Sequence, residues 1–365
     1  MFNFDVHVTG GPTKIAVRLN ALAASGQFLR QALGESHKPT VLIVTDTTVG
    51  DLYGATVREA LAVAGFSVAV SRIPPNESSK NLDQAAEIYR TLAQHGIDRD
   101  GVILALGGGV VSDLAGFVAA TWMRGVRFAI LPTTLEAAID ASIGGKTAVN
   151  LPVGKNLVGA FHQPFMVVTD PACLRTLPAR EVRAGVAEAV KHGLIRSEEF
   201  FSWQEAHADE ILALEPAITT DFILRNLRIK ADIVEKDTYE RSGLRALLNL
   251  GHTIGHAIES RADYSLRHGE CVALGTVASC RLSRSLGLLD STGVDRTERL
   301  LAKFGLPVQM PVTIDAEQIL ETIRSDKKSR AGRVRFVLLE GIGRPVIRHD
   351  VTDEAILDAY RSLLP

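Results

Sequence analysis

Between Pro39 and Pro132 the chain alternates short apolar runs with amphipathic stretches. Pro39–Asp46 is a nearly continuous apolar run closing on an acidic residue, the pattern of a strand buried on both faces. The spacing then predicts a helix over Leu52–Gly65, a strand over Ser67–Ile73, a polar loop over Pro74–Lys80 and a helix over Leu82–Gln94. A buried strand over Gly101–Leu106, a helix over Ser112–Trp122 and a strand over Phe128–Pro132 follow. Such alternation predicts a mostly parallel sheet with helices on both faces. Beyond residue 175 apolar positions recur every three to four residues, which predicts helices near 180–196, 198–212, 216–237, 245–261, 268–287 and 293–304. A short strand pair is expected at Arg333–Leu339 and Pro345–Ile347. The pattern changes across 165–178, where Pro164, Pro171 and Pro178 fall, so we divide the chain into an α/β domain over 1–172 and a mainly helical domain over 173–365. There is no internal repeat and no low-complexity tract.

Composition sharpens this only slightly. The 365 residues suffice for two domains, and 46% hydrophobic with 22% charged residues suits a soluble protein with a substantial core. A net charge of −2 gives no sign of attraction to nucleic acid or membrane. Cys173, Cys271 and Cys280 are odd in number and lack a CxxC spacing, which argues against a disulfide framework and for a reducing, cytoplasmic setting. The first residues carry no basic segment followed by an apolar one. No window holds the ~18 apolar residues of a membrane span.

Two regions carry chemistry. Gly107, Gly108 and Gly109 end a predicted strand and open a helix that continues through Ser112 and Asp113. Glycines there admit close backbone approach, and a helix N-terminus offers free N–H groups to a pyrophosphate, although the GxGxxG spacing is absent. Asp46 and Glu77, each following a strand, suit ribose hydroxyls. The segment Asp140–Thr147 ends in Gly144-Gly145-Lys146-Thr147, but Asp140 stands where a P-loop needs its first glycine, so that motif is excluded. Lys146, Lys155 and Asn156, set among small residues, suit an anionic group. In the helical half, His252 and His256 are one turn apart, placing two imidazoles on one helix face as two ligands, or as a ligand and an acid/base. Glu188, in an amphipathic run from Val182 to Ile195, with His252 and His268 would give an oxygen and two nitrogens with positions left open, as catalytic zinc requires. The sequence His252-Thr253-Ile254-Gly255-His256 lacks the glutamate of HExxH, which removes the peptidase reading. Ser325–Gly332 reads as a solvated basic loop.

Taken in order, GGGVVSDLAGF (107–117), Trp122–Gly125, PTTL (132–135), DASIGGKT (140–147), GKNLVGAFHQP (154–164), GVAEAVKHG (185–193), GLRALLNLGHTIGH (243–256) and RHGE (267–270) resemble the 3-dehydroquinate synthases, of the sugar-phosphate cyclase family. The resemblance runs from about Val41 to Leu339. It implies a Rossmann-like NAD-binding α/β domain, then a helical metal-binding domain, with the active site in the cleft between. By matching positions it implies zinc, replaceable by cobalt, on Glu188, His252 and His268. NAD+ would lie along Asp46, Glu77, Lys80, Gly107, Gly108, Gly109, Asp113, Thr133 and Thr134, with Lys146 and Lys155 nearby. Substrate phosphate would meet Lys146, Asn156, His256, Lys328 and Arg124, the last from the partner subunit of a homodimer. A substrate carboxylate would meet Arg245 and Lys230, while Asn249, Asp140, Lys155 and Lys191 contact the ring. The sequence departs from the commoner family residues at Glu136–Ala138, Ala148 and His192, and the Lys230–Arg245 interval is one residue longer.

The implied reaction turns 3-deoxy-arabino-heptulosonate 7-phosphate into 3-dehydroquinate and phosphate. Zinc acidifies two adjacent hydroxyls so that NAD+ takes a hydride from the ring carbon. The ketone acidifies the neighbouring C–H, phosphate leaves, the same NADH returns the hydride, and ring opening with an intramolecular aldol step closes the carbocycle. His256, Lys146, Arg245, Lys191, Asn249 and Asp140 are the expected catalytic set. The nearest rival is a cyclase of another sugar phosphate such as sedoheptulose 7-phosphate, which has no carboxylate for the Arg245 fork. An iron- or zinc-dependent polyol dehydrogenase would need no phosphate-binding cations, and a non-catalytic binding protein would not need the ligand set.

Overall fold

The computed structural model describes residues 2–34, 39–262, 265–328 and 334–365, without the side chains of 326–328. The elements are β1 (Phe4–Val8), β2 (Gly11–Val17), α1 (Ser25–Leu33), β3 (Thr40–Asp46), α2 (Thr47–Val63), β4 (Ser67–Ile73), α3 (Leu82–Gln94), β5 (Val102–Gly107), α4 (Gly109–Thr121), β6 (Arg127–Pro132), β7 (Lys146–Leu151), β8 (Gly154–Phe161) and β9 (Met166–Thr169). There follow α5 (Ala179–Arg196), α6 (Glu198–Ala206), α7 (Ala208–Leu212), α8 (Pro216–Lys236), α9 (His252–Arg261), α10 (His268–Ser285), α11 (Ser291–Lys303), α12 (Ala316–Lys328), β10 (Phe336–Gly341), β11 (Arg344–Arg348) and α13 (Asp353–Arg361). They form two compact units: residues 1–177 with 219–239, and residues 178–218 with 240–365. Most of α8 therefore belongs with the sheet, where the sequence division at 172/173 had put it with the helices. Its amphipathic spacing does not reveal which unit covers it; Arg228 over the Phe4 ring (4.6 Å) and Glu235 accepting the His7 N–H (2.6 Å) do.

In the first unit seven strands run in the order β1-β2-β9-β6-β5-β3-β4, parallel except for β1 against β2. Alternate residues of the central strands reach opposite layers. Val41, Ile43, Val102, Leu104, Ala129 and Leu131 join Phe28 and Leu29 of α1 and Val57 and Leu61 of α2 in one core. On the other face Phe128 is met by α4: a Cβ added to Gly116 would stand 2.9 Å from its ring. Both faces are dry, which explains the unbroken apolar runs. Helix α2 begins five residues before its expected start because the Asp46 carboxylate caps it, accepting the Val49 N–H at 2.9 Å. Residues 146–161, expected as polar loops, form the antiparallel pair β7–β8; β8 is largely exposed, so no apolar alternation marked it.

The second unit is helical with the small sheet β10–β11, close to the expected strand pair. The helix expected over 245–261 is broken. A 3₁₀ turn, Leu244–Asn249, precedes α9, and Gly251 takes φ +79°, a left-handed value that favours glycine. The basic loop expected at 325–332 is helical through Lys328, and 329–332 lie outside the described residues. Helix α5 is buried on nearly every side from Ala184 to Ile195 rather than along one stripe, because its alanines and glycines let neighbours close on it.

Candidate active site and metal centre

The first unit builds a nucleotide-type crevice. From β3 the chain goes out to β4 and returns to β5 on the other side of β3, so the carboxyl ends of β3 and β5 form a topological switch point, where open α/β sheets take their ligands. Asp46 ends β3 and Gly107 ends β5. A Cβ on Gly107 would strike Val111 at 2.6 Å, and one on Gly108 would strike Thr134 at 2.8 Å, so packing accounts for both glycines. Gly109 is different: its Cβ would meet nothing nearer than Ala141 at 4.0 Å. The space above the first turn of α4 is open, beside N–H groups with no intrahelical acceptor. Thr133 donates its N–H to the Gly107 carbonyl, while its Oγ1 is buried with no hydrogen-bond partner among the described residues. Thr134 Oγ1 accepts the Ala137 N–H at 3.2 Å and starts the π-helical turn Ala137–Ala141. An open cradle and an orphaned hydroxyl fit a bound dinucleotide.

Around this crevice the charges are paired. The Lys80 ammonium, almost fully buried, lies 2.7 Å from Asp113 Oδ2 and 3.7 Å from Glu77 Oε1. Glu77 Oε1 also accepts from Asn150 Nδ2 at 2.8 Å. Burial pushes the Asp113 carboxyl up from its usual range, Lys80 offsets part of that, and Glu77 adds to the rise. Lys230, on α8, places its ammonium 2.6 Å from Asp140 Oδ1 and donates to the Asp140 carbonyl. Beyond α8, on the way to Arg245, Glu240 (φ +57°) and Gly243 (φ +85°) turn the backbone. Lys146, Lys155, Asn156 and Arg124 stand at the surface. Met123 and Arg124 are both left-handed, with φ +48° and +69°.

The second unit builds the metal-type site from three helices. Two glycines set their spacing: a Cβ on Gly275 would lie 1.9 Å from the Gly251 carbonyl oxygen, and one on Gly269 1.9 Å from that of Ala184. Helices α9 and α5 thus press directly on α10. This contact brings Glu188 of α5, His252 of α9 and His268 of α10 together. Glu188 Oε1 lies 3.4 Å from His252 Nε2 and 3.4 Å from His268 Nε2. Ligands at 2.0–2.1 Å from a tetrahedral zinc stand ~3.4 Å apart, so the cluster fits a divalent metal. Glu188 is 1% exposed against 13% and 29% for the two histidines, which puts the carboxylate at the floor. Burial works against its charge, but the Lys191 ammonium and then the two imidazoles outweigh it and hold the carboxyl well below its ordinary range.

Sequence reasoning missed the groups that orient these side chains. His252 Nδ1 is 3.1 Å from the Leu250 carbonyl, and His268 Nδ1 is 3.0 Å from Glu259 Oε2. Glu259 lies two helical turns past His252, a spacing visible in the chain but unremarkable in a charged helix. The first turn of α10 is clamped by Arg180, which donates to both Glu270 oxygens at 2.7 Å, while Glu270 accepts the Arg267 N–H at 2.9 Å. His256 stands beside the cluster, its ring centroid 5.0 Å from that of His252 and 5.6 Å from that of His268. It has an open edge, yet desolvation by the surrounding protein, then the two neighbouring imidazoles, pull its pKa to about 3. Facing an anion it would act as a neutral donor. Arg245 is buried and Asn249 half-buried, both on the 3₁₀ turn before α9; the Lys328 side chain lies outside the described residues.

Comparison with known proteins decides the family. Residues 70–184 match a family profile described as 3-dehydroquinate synthase N-terminal, and residues 185–329 one described as 3-dehydroquinate synthase C-terminal. The chain belongs to the 3-dehydroquinate synthase family. A 3-dehydroquinate synthase of Symbiobacterium thermophilum is 44% identical over 351 residues, covering 95% of this chain and 97% of its own. One of Xanthomonas campestris is 46% identical over 363 residues, 97% of each. Among solved structures, a 2-epi-5-epi-valiolone synthase from Streptomyces hygroscopicus with NAD+ and Zn2+ bound is 30% identical with a TM-score of 0.88, covering 98% of each chain. A 2-deoxy-scyllo-inosose synthase complexed with carbaglucose-6-phosphate, NAD+ and Co2+ is 26% identical with a TM-score of 0.89, covering 99% of this chain and 100% of its own. A probable glycerol dehydrogenase from Sinorhizobium meliloti, 18% identical with a TM-score of 0.61 and covering 95% of each chain, shares the fold. This family is enzymatic. No helix among the described residues is long and apolar enough to cross a membrane.

Proposed function

We propose that this chain converts 3-deoxy-arabino-heptulosonate 7-phosphate to 3-dehydroquinate and phosphate, using NAD+ catalytically and a divalent metal, zinc by preference. The observation that carries the reading is the convergence of Glu188, His252 and His268 at 3.4 Å edges, in a family member whose sheet ends in an open glycine cradle. When bound, the metal acidifies adjacent substrate hydroxyls and the nicotinamide accepts and later returns a hydride. The chain's own residues bind and orient. Glu188, His252 and His268 hold the metal. The α4 N-terminus, Thr133, Thr134 and the Glu77–Lys80–Asp113 set receive the dinucleotide, with Asp46 reaching a ribose. Arg245 takes the substrate carboxylate as a planar fork, with Lys230 as its companion. Lys146, Asn156, Lys328 and the neutral His256 position the phosphate, so that the leaving group stays aligned with the C–H that must lose its proton. Asp140, Lys155, Lys191 and Asn249 complete the ring contacts.

We further propose a cytoplasmic homodimer in which Arg124 serves the partner's phosphate site. Two consecutive non-glycine residues in the left-handed region persist only where something over-determines them, and Arg124 is exposed there. The test of the substrate is direct: offer this phosphate and sedoheptulose 7-phosphate and measure phosphate release. Preference for the sugar phosphate that lacks a carboxylate overturns the assignment. Arg245→Ala should raise KM for the carboxylate substrate by at least ~30-fold, the ~2 kcal/mol lower end for removing one member of a buried charge pair. His252→Ala should cut turnover by more than the ~100-fold limit of outer-sphere changes while NAD+ binding stays largely intact; equal loss of both would make the histidine structural.

A further inference from the structure

Two possible triads share His252 and His268. One is completed by Glu188 and the other by His256, since the ligand atoms of the three histidines all lie within 4.8 Å of one another. Ring proximity does not choose between them. The far side of each ring does. An unprotonated carbonyl or carboxylate oxygen only accepts, so the Leu250 carbonyl beside His252 Nδ1 and the Glu259 carboxylate beside His268 Nδ1 each hold a proton on that nitrogen. With Nδ1 so engaged, Nε2 is the nitrogen of each ring left to meet a metal, and these are the atoms 3.4 Å from Glu188 Oε1. His256 makes no hydrogen bond among the described residues, so nothing there fixes its tautomer or its ring.

We propose that Glu259 is a positioning residue that turns His268 Nε2 towards Glu188 and the metal position they share, by fixing the tautomer and angle of the His268 ring. The inference rests on reading Glu188, His252 and His268 as the metal set. The Glu259 side chain is 13% exposed and reaches from α9 to the first residue of α10, so no solvent group readily replaces it. Its charge also strengthens His268 Nε2 as a donor to metal.

The test compares wild type, Glu259→Ala and Glu259→Gln by zinc affinity in chelator competition and by proton NMR of the Co2+-loaded protein. Wild type should bind both metals and give two hyperfine-shifted, exchangeable N–H signals, one from each Nε2-bound histidine. Glu259→Ala should lose ~10–100-fold in zinc affinity, the usual cost of an outer-sphere partner, and one of the two signals should broaden by exchange. Glu259→Gln keeps an acceptor oxygen and should recover most of the affinity. Unchanged affinity and signals in Glu259→Ala would overturn the proposal, and so would equal loss in both variants. Should Glu259→Ala not fold, the wild-type spectrum still decides, since a third exchangeable signal would make His256 a ligand. A wild type that binds neither metal removes the ligand reading itself, whereas a metal-binding wild type with an indifferent Glu259→Ala removes only the role of Glu259.

Discussion

Each unit holds a carboxylate next to a buried lysine, and the two carboxylates respond in opposite ways. Glu188 sits beside Lys191 and two imidazoles, and its carboxyl is held far below the ordinary range. Asp113 sits 2.7 Å from Lys80, yet burial wins and its carboxyl is raised. The count of neighbours explains the difference: three nitrogen groups gather on Glu188, whereas Asp113 has one close ammonium that it shares with a second carboxylate, Glu77. Burial alone therefore does not set the charge of a group. The helical unit thus favours the charged carboxylate at the floor of its histidine cluster. The sheet unit keeps a carboxylate whose charge its one close lysine only partly supports against burial.

The sharpest way to break this contrast is Lys80→Met. It leaves Asp113, whose side chain is 23% exposed, without its close cation and should cost ~3 kcal/mol, the lower end of the range for breaking a buried pair. The variant's Asp113 pKa rises further. A carboxyl raised in the folded state contributes stability at low pH that is lost as pH climbs through the folded value. The deficit should therefore be smaller at about pH 5 than at about pH 8 in denaturant titrations; a deficit independent of pH would mean Asp113 does not carry it. Comparable in size is Gly275→Ala, which forces a methyl to 1.9 Å from the Gly251 carbonyl unless α9 and α10 part. We expect ~3 kcal/mol of destabilisation and a loss of zinc affinity, with NAD+ affinity retained because the cradle is in the other unit. Wild-type zinc affinity in that variant would show that the close helix contact does not set the ligand spacing. The smallest effect separates two jobs of one residue. Asp46→Ala should cost ~1 kcal/mol through the lost cap of α2, while Asp46→Asn, an equally good cap, should leave stability unchanged. If Asp46 also meets a ribose, calorimetry should find NAD+ binding weakened in both.

The central strands of the sheet were legible because residues such as Leu42 and Ile103 are buried on both faces and leave unbroken apolar runs. The exposed strand β8 and the break at Gly251 were not, since neither alters the local apolar spacing. The histidine pair was legible as a site from its spacing, and the family resemblance implied metal for His252 and phosphate for His256. What the spacing does not show is the carbonyl of Leu250 beside His252 and the carboxylate of Glu188, sixty-four residues earlier, which meets His252 only once α5 and α9 have packed on α10. The glycines that permit that closure, Gly269 and Gly275, read in the chain as ordinary small residues. Their meaning lies in the backbone oxygens opposite them.

The placement of residues 219–239 with the sheet has a consequence for how the protein is made. The chain passes from one unit to the other three times, at 177/178, 218/219 and 239/240. A nascent chain that has emerged only as far as Leu177 already contains every strand of the seven-stranded sheet, yet lacks the Lys230 that neutralises Asp140 and the Arg228 that covers Phe4. That sheet must wait, incomplete, while a helical segment destined for the other unit is synthesised between. During translation the two units are thus committed to maturing together.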